Sequence, residues 1–294
     1  MPLTRILRYG SAGEDVLLVK QRLLALGCYA SQIVELKTNV FGRDTQNAVK
    51  IFQAQNGLTA DGIVGTLTYA ALFPGEAPAT ISIERASISA QIGDAAATSI
   101  LAALAAASEK RRGIVLNALG FAYDATQPRE YPVSLYIRGG NLYNADLAPN
   151  VISLARIASG AKRQPEFYDG GRQEMMERAV QDNPVITGAD CSGGVVGLLR
   201  HAGIVKPTFD LAADGFAASK SMHEVAADEL HPADLLHKSG HIGLYAGGGY
   251  AVEWMGGAYG CQLTRLTNRR GWNFVKHTID RFGAWTTYLR PDWY

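Results

Sequence analysis

The sequence predicts an α+β fold: a small three-helix N-terminal domain followed by a larger domain in which helices pack on an antiparallel sheet. Three observations carry this. Early in the chain, apolar residues recur at helical spacing in two segments and a third short helix follows. Between residues 241 and 254 two runs alternate small or polar with apolar residues across a glycine-rich turn, the signature of a β-hairpin. A length of 294 residues suggests two domains rather than one, and the chain is expected to divide into residues 1–73, a linker over 74–93, and residues 94–294.

In the first domain, Glu14 and Asp15 open a helix whose apolar positions Val16, Leu17, Val19, Leu23, Leu24 and Leu26 run to Gly27. A second helix starts at Asp44 or Thr45, carries Ala48, Val49, Ile51 and Phe52 on one face, and ends at Gly57. Val40-Phe41-Gly42-Arg43-Asp44-Thr45 and Ile63-Val64-Gly65-Thr66-Leu67-Thr68 share a turn glycine with a threonine three residues later, a weak internal repeat in which each turn feeds a helix. About 70 residues are near the lower size for independent stability.

Pro74-Gly75-Glu76-Ala77-Pro78-Ala79-Thr80 reads as linker. Asp94 then reads as the N-cap of a packed connecting helix through about Ala107, with Lys110-Arg111-Arg112 as its polar end, and Ile114 to Ala122 as a further helix. Residues 141–186 contain two more expected helices, Leu147 to Ala158 and Gln173 to Val180.

The segment Thr187-Gly188-Ala189-Asp190-Cys191-Ser192-Gly193-Gly194 is the one around which the larger domain is organised. After Cys191 come Val195, Val196, Leu198 and Leu199 at near-helical spacing, and Gly203 reads as the C-cap. Cys191 therefore falls in a first helical turn, where unpaired backbone N–H groups and the positive end of the dipole favour a thiolate. Two glycines, a serine and an aspartate around a thiol make a poor core segment, and the expectation is an exposed elbow carrying a nucleophile.

A nucleophilic thiol needs a base, and of the six histidines His241 has suitable surroundings. It begins the run His241-Ile242-Gly243-Leu244-Tyr245, which pairs across Ala246-Gly247-Gly248-Gly249 with Tyr250-Ala251-Val252-Glu253-Trp254. A three-residue loop, Ala246 to Gly248, places His241 directly opposite Glu253, whose carboxylate can accept the Nδ1 proton and leave Nε2 for the thiol. A two-residue loop shifts the pairing by one and points Glu253 away.

Composition excludes several partners. With 28 basic and 27 acidic residues the net charge is +1, which offers no electrostatic footprint for nucleic acid or an anionic membrane. The longest uncharged run, Ala95 to Ser108, is too short to span a bilayer. Cys28, Cys191 and Cys261 are odd in number, so one thiol stays free. His237 and His241 are four apart, but Lys238-Ser239-Gly240 between them is no helix, so no metal is expected. No cofactor is implied, and the oligomeric state is left open. The N-terminus lacks the apolar stretch of a secretory signal, which predicts synthesis in the cytoplasm.

Two resemblances sharpen these expectations. Asp190-Cys191-Ser192-Gly193 and His241-Ile242-Gly243-Leu244-Tyr245 resemble the D-C-S-G and H-x-G-I-Y signatures of the NlpC-type, papain-like cell-wall cysteine peptidases. Tyr136-Ile137-Arg138-Gly139-Gly140 resembles that family's Y-V-W-G-G segment, and His231-Pro232-Ala233-Asp234-Leu235 its P-G-D-L turn. The resemblance covers residues 110 to 290 and leaves 141–186 as a helical insertion, expected to wall one side of the cleft. In the N-terminal domain, Phe41-Gly42-Arg43-Asp44-Thr45 with Ala48-Val49 and Phe52-Gln53, and Gly57 through Gly65, resemble the peptidoglycan-binding domain found beside wall hydrolases.

The resemblance implies a papain-like fold and a peptidase of bacterial peptidoglycan stem peptides, with Cys191 as nucleophile, His241 as base and a third polar residue orienting it; that residue is often histidine in the family, and Glu253, read from the hairpin, departs from the pattern. It implies that Asp190, Ser192 and Tyr136 contact substrate or support the oxyanion, with one donor from the Cys191 backbone N–H. The expected bond joins γ-D-glutamate to the diamino acid. The alternatives are the amide between muramic acid and L-alanine, cut by the same residues, and a non-catalytic wall binder. An export-free wall enzyme fits a phage lysin that reaches the wall when a separate membrane pore opens.

Overall fold

The computed structural model describes residues 7–29, 38–56, 58, 60, 62–74, 85–127 and 129–294. The fold is α+β, and the chain divides into two compact units with the boundary between Ser87 and Ile88. The expected helix stop at Gly57 and the linker residues Gly75 to Thr80 lie outside the described residues.

The first unit holds α1 (Glu14–Ala25), α2 (Arg43–Gln55) and α3 (Thr66–Leu72). Their shared core includes Val16, Val19, Leu23, Phe41, Val49 and Phe52, each such side chain contributing roughly 1.5–3 kcal/mol when fully buried. Ile51, expected on the inner face of α2, is 40 % exposed. It lies outside the arc of the buried Ala48, Val49, Phe52 and Gln53, about 60° round the helix from Ala48 at 3.6 residues per turn. Gln53 explains part of the motif: its buried amide donates to the Ile63 carbonyl at 2.9 Å and accepts from the Gly62 N–H at 2.8 Å, tying α2 to the second turn. Gly62 has φ 75°, and a Cβ there would meet Gln46 at 2.7 Å, so glycine is required.

The second unit is built on a six-stranded antiparallel sheet in the order β3-β10-β4-β5-β6-β7. The strands are β3 (Met222–Glu224), β4 (Leu235–Lys238), β5 (His241–Gly247), β6 (Tyr250–Trp254), β7 (Cys261–Arg265) and β10 (Thr287–Pro291), while β8 (Arg270–Asn273) and β9 (Thr278–Arg281) form an antiparallel pair of their own. Helices α4 (Asp94–Ala105), α5 (Glu109–Leu119), α8 (Cys191–His201) and α9 (Ala213–Ala218) pack against it. Helix α8 is buried on nearly every side, from Gly193 through His201, which is why its apolar pattern is broader than a single stripe. A separate parallel pair, β1 (Ser134–Tyr136) with β2 (Thr187–Ala189), sets Tyr136 beside Ala189 and so carries the Tyr136–Gly140 segment to the start of α8.

Three expected elements differ. Asp94 is the first residue of α4 rather than its cap; Gly93 is the N-cap and its N–H is held by Asp124 Oδ2 at 2.7 Å. That helix ends at Ala105, and Lys110-Arg111-Arg112 opens α5 behind the capping Ser108 instead of closing α4. The basic run is not a solvated end, because Arg111 is buried and donates to Asp234 Oδ1 and the Pro232 carbonyl, both at 2.7 Å. Within the insertion, the helix expected from Leu147 starts only at Leu154 and runs to Arg163 as α6. Leu147 is left-handed with φ 63° and Pro149 follows, so the chain cannot coil until Ser153 caps the Arg156 N–H at 3.2 Å. Helix α7 (Arg172–Asp182) completes the insertion, whose Ile157, Met175, Met176 and Ala179 share a core with Leu135 and Ile137.

Candidate active site

Cys191 is the first residue of α8, and Asp190 caps that helix by accepting the Gly193 N–H at 2.7 Å on Oδ1. The Ser192 hydroxyl donates to the same oxygen at 3.1 Å, while Oδ2 accepts the Gly139 N–H at 3.0 Å. One carboxylate thus fixes the helix start and pins the segment after β1 to it. The expected exposed elbow is corrected: Cys191 is buried, 6 % exposed. Its two glycines serve close packing. A Cβ on Gly193 would fall 1.9 Å from the Gly140 carbonyl oxygen, and one on Gly194 2.2 Å from the Trp254 ring, so only glycine lets the helix start approach both neighbours.

The hairpin turns differently from expectation. Gly247 pairs with Tyr250 across a two-residue turn, Gly248-Gly249, and a bulge between Tyr245 and Gly247 inserts one residue into β5. Without the bulge this turn would send Glu253 to the opposite face; the extra residue restores the parity. Leu244 then pairs with Val252, so the residue across from Glu253 is Gly243 and not His241. A Cβ on Gly243 would lie 3.2 Å from the Glu253 Cβ and 2.9 Å from the Trp285 ring. The carboxylate leans across this gap and meets His241 diagonally, with Oε2 2.7 Å from Nε2.

The ring nitrogens are also exchanged relative to expectation. Glu253 holds Nε2, which leaves Nδ1 for the thiol. The Cys191 sulfur lies 4.0 Å from the Gly240 carbonyl, beside the His241 main chain, and Nδ1 is the nitrogen nearer the main chain. Burial alone would lower the His241 pKa, but the hydrogen bonds that the ring donates to the Cys191 and Glu253 side chains, with their charges, raise it from 6.5 to about 9.

Glu253 is fully buried and saturated. Its Oε1 accepts from Thr264 Oγ1 at 2.6 Å and Arg269 Nε at 3.0 Å, and its Oε2 from Arg269 Nη2 as well as His241. Burial pushes this carboxyl up, yet the bonds and charges of His241 and Arg269 hold it at about 2. Arg269 is itself sandwiched, its guanidinium 4.0 Å from the Trp285 ring centroid and 5.8 Å from that of Phe282. Trp285 also stacks on His241, with centroids 5.4 Å apart and planes within 9°. The imidazole is therefore fixed by a carboxylate at its tip and an indole on its face.

Tyr136 is buried, and its phenol is pushed up to about 12 by burial and then by the neighbouring Cys191 and Asp190 charges. The structure thus gathers Tyr136, Asp190, Cys191, Ser192, His241 and Glu253 in one place. Arg269, Thr264, Trp285 and Gly243 escaped sequence reading. Only Gly243 had a local signal, as a glycine in the middle of a strand pattern. His237, the other half of the weighed metal pair, has Nε2 2.9 Å from Asp214 Oδ1 instead. Among the described residues, no helix is long and apolar enough to cross a membrane. The arrangement can hold an imidazolium between a thiol and a carboxylate, the geometry of acyl transfer by a thiol.

Comparison with known proteins bears on the first unit most directly. Residues 12–72 match the sequence model of the putative peptidoglycan binding domain, which supports cell-wall peptidoglycan as a partner. Among solved structures, the chain is similar to the SleB N-terminal domain, with 32 % identity, coverage of 24 % of this chain and 93 % of that one, and a TM-score of 0.22. It is also similar to the Burkholderia AP3 phage endolysin, with 22 % identity, coverage of 55 % and 62 %, and a TM-score of 0.21. A curated relative is the chloroplastic protein disulfide isomerase pTAC5 of Arabidopsis thaliana, 29 % identical over 127 residues, or 43 % of this chain and 32 % of that protein, so the chain spans about a third of its length.

Proposed function

We propose that this protein is a peptidoglycan hydrolase whose first unit engages the wall and whose second unit cleaves stem peptides through Cys191, His241 and Glu253. The observation that carries the reading is the buried Glu253 bonded to His241 Nε2 at 2.7 Å, with the Cys191 side chain at the N-terminus of α8 in contact with the same imidazole. Nothing in mere structural packing calls for an imidazole held between those two groups. The Cys191 sulfur attacks the scissile carbonyl carbon, and the proton held on His241 Nδ1 passes to the departing amine as the C–N bond breaks. Water, deprotonated by the same nitrogen, then hydrolyses the thioester and restores the thiol–imidazole pair. The Cys191 N–H and the Tyr136 hydroxyl donate to the oxyanion.

The bond we assign is γ-D-glutamyl to diamino acid. Purified sacculi digested with the full chain and weighed by mass spectrometry test this. New diamino-acid amines support it; free L-alanine amino termini would move the assignment to the muramoyl amide; no release would leave a wall binder.

A further inference from the structure

Beside the candidate site the insertion forms a cationic lip. Arg138 follows the buried Ile137 and turns outward, with its guanidinium 5.0 Å from the centroid of the Phe167 ring, an insertion residue. Its side chain hydrogen-bonds the Tyr136 phenol, which in turn neighbours Cys191. Arg156 of α6 donates to the Arg138 carbonyl at 3.4 Å. Arg172 at the start of α7 donates to the Glu166 carbonyl at 2.8 Å and lines, with Phe167, Gly257 and Lys276, a cavity of about 310 Å³. Among the described residues, Glu166 is the one acid of that lining. Among the described residues, none of Arg138, Arg156 and Arg172 is ion-paired; the contacts above are to a ring, to the Tyr136 phenol or to backbone carbonyls. Guanidinium groups held by neutral partners keep their charge available for an anion.

We propose that this lip binds a free carboxylate on the acyl side of the substrate, with Arg138 as the specificity-determining residue. The inference rests on the stem-peptide reading and narrows it. In a γ-linked D-glutamyl residue the chain leaves through the side chain, and the α-carboxylate stays free a few bonds from the scissile carbonyl. A neighbouring cation reads that group, and an α-carboxamide in its place removes the charge and one acceptor oxygen.

The test uses the full chain carrying Cys191→Ala, so that binding is measured without turnover. Calorimetric titration compares a synthetic L-alanyl-γ-D-glutamyl-diaminopimelate with the same peptide α-amidated at glutamate. The acid form is expected to bind about tenfold more tightly, about 1.4 kcal/mol. Adding Arg138→Gln should lower acid binding to the amide's level, while Arg138→Lys should keep part of the preference. Equal affinities in the parent, a preference that survives Arg138→Gln, or binding of neither peptide overturns the proposal. A clear acid preference alongside no cleavage by the unmodified protein would support the lip and sink the hydrolase reading, so the two fail separately.

Discussion

Gly243 stands across the β5–β6 ladder from Glu253, and the side chain it lacks is the opening through which the carboxylate reaches His241 two residues along the strand. Trp285 fills the same opening from above, stacked on the imidazole. The orientation of one ring thus depends on a methyl group being absent beside it.

Replacing Gly243 by alanine places that methyl 2.9 Å from the indole and 3.2 Å from the Glu253 Cβ. The indole has to move, since the ladder carries the carboxylate. We expect a folded protein with kcat lowered about tenfold and a stability loss of about 1–3 kcal/mol. Steady-state kinetics and a melting curve check both; unchanged kcat would show that the stacking does not matter.

Glu253→Gln keeps shape and removes the charge. By the behaviour of an orienting carboxylate next to a catalytic histidine, kcat should fall by about two to four orders of magnitude. A role in positioning also predicts a moved pH profile: the alkaline limb, set by His241 at about 9, should slide toward the ordinary 6.5. A fall in kcat with the limb unmoved would mean that only packing was lost.

The N-terminal helices and α8 were legible because each is announced by local periodicity and cap residues, whereas the approach of Glu253 to His241 was expected through a three-residue turn that the hairpin does not have. Arg269 was not legible, since it follows β7 and is sixteen positions from Glu253, with nothing nearby to mark it as a partner. The bulge in β5 was invisible for a similar reason. Three glycines in a row permit several turns, and only the completed ladder selects one. The buried Arg111 and the late start of α6 misled for opposite reasons. In the first, tertiary pairing with Asp234 overrode a polar run; in the second, Pro149 and a left-handed Leu147 broke a helical pattern that composition alone suggested.

Arg269→Met leaves the Glu253 charge buried with one cation fewer. Removing one partner of such a pair costs about 3–5 kcal/mol, and the melting temperature should fall accordingly. Glu253→Gln combined with Arg269→Met should recover part of that loss, because no uncompensated charge remains. A double variant no more stable than either single one would contradict the ion-pair account.

Stability should also depend on pH in two windows of opposite sign. Glu253 is depressed from 4.5 to about 2, so its contribution is complete above 4.5 and fades as pH falls toward 2. His241 is raised from 6.5 to about 9, so its contribution is complete below 6.5 and fades as pH rises toward 9. Denaturant midpoints measured across pH should lose the alkaline decline in His241→Phe; a decline that persists there would assign it to other groups.

The central claim is that Cys191 carries the acyl group, and acid-quenched intact mass during turnover tests it most directly. The wild-type chain mixed with stem peptide should gain the mass of the acyl fragment, lose it on treatment with hydroxylamine, and show it at Cys191 on peptide mapping. Turnover with no such adduct, or with the adduct on another residue, would contradict the account.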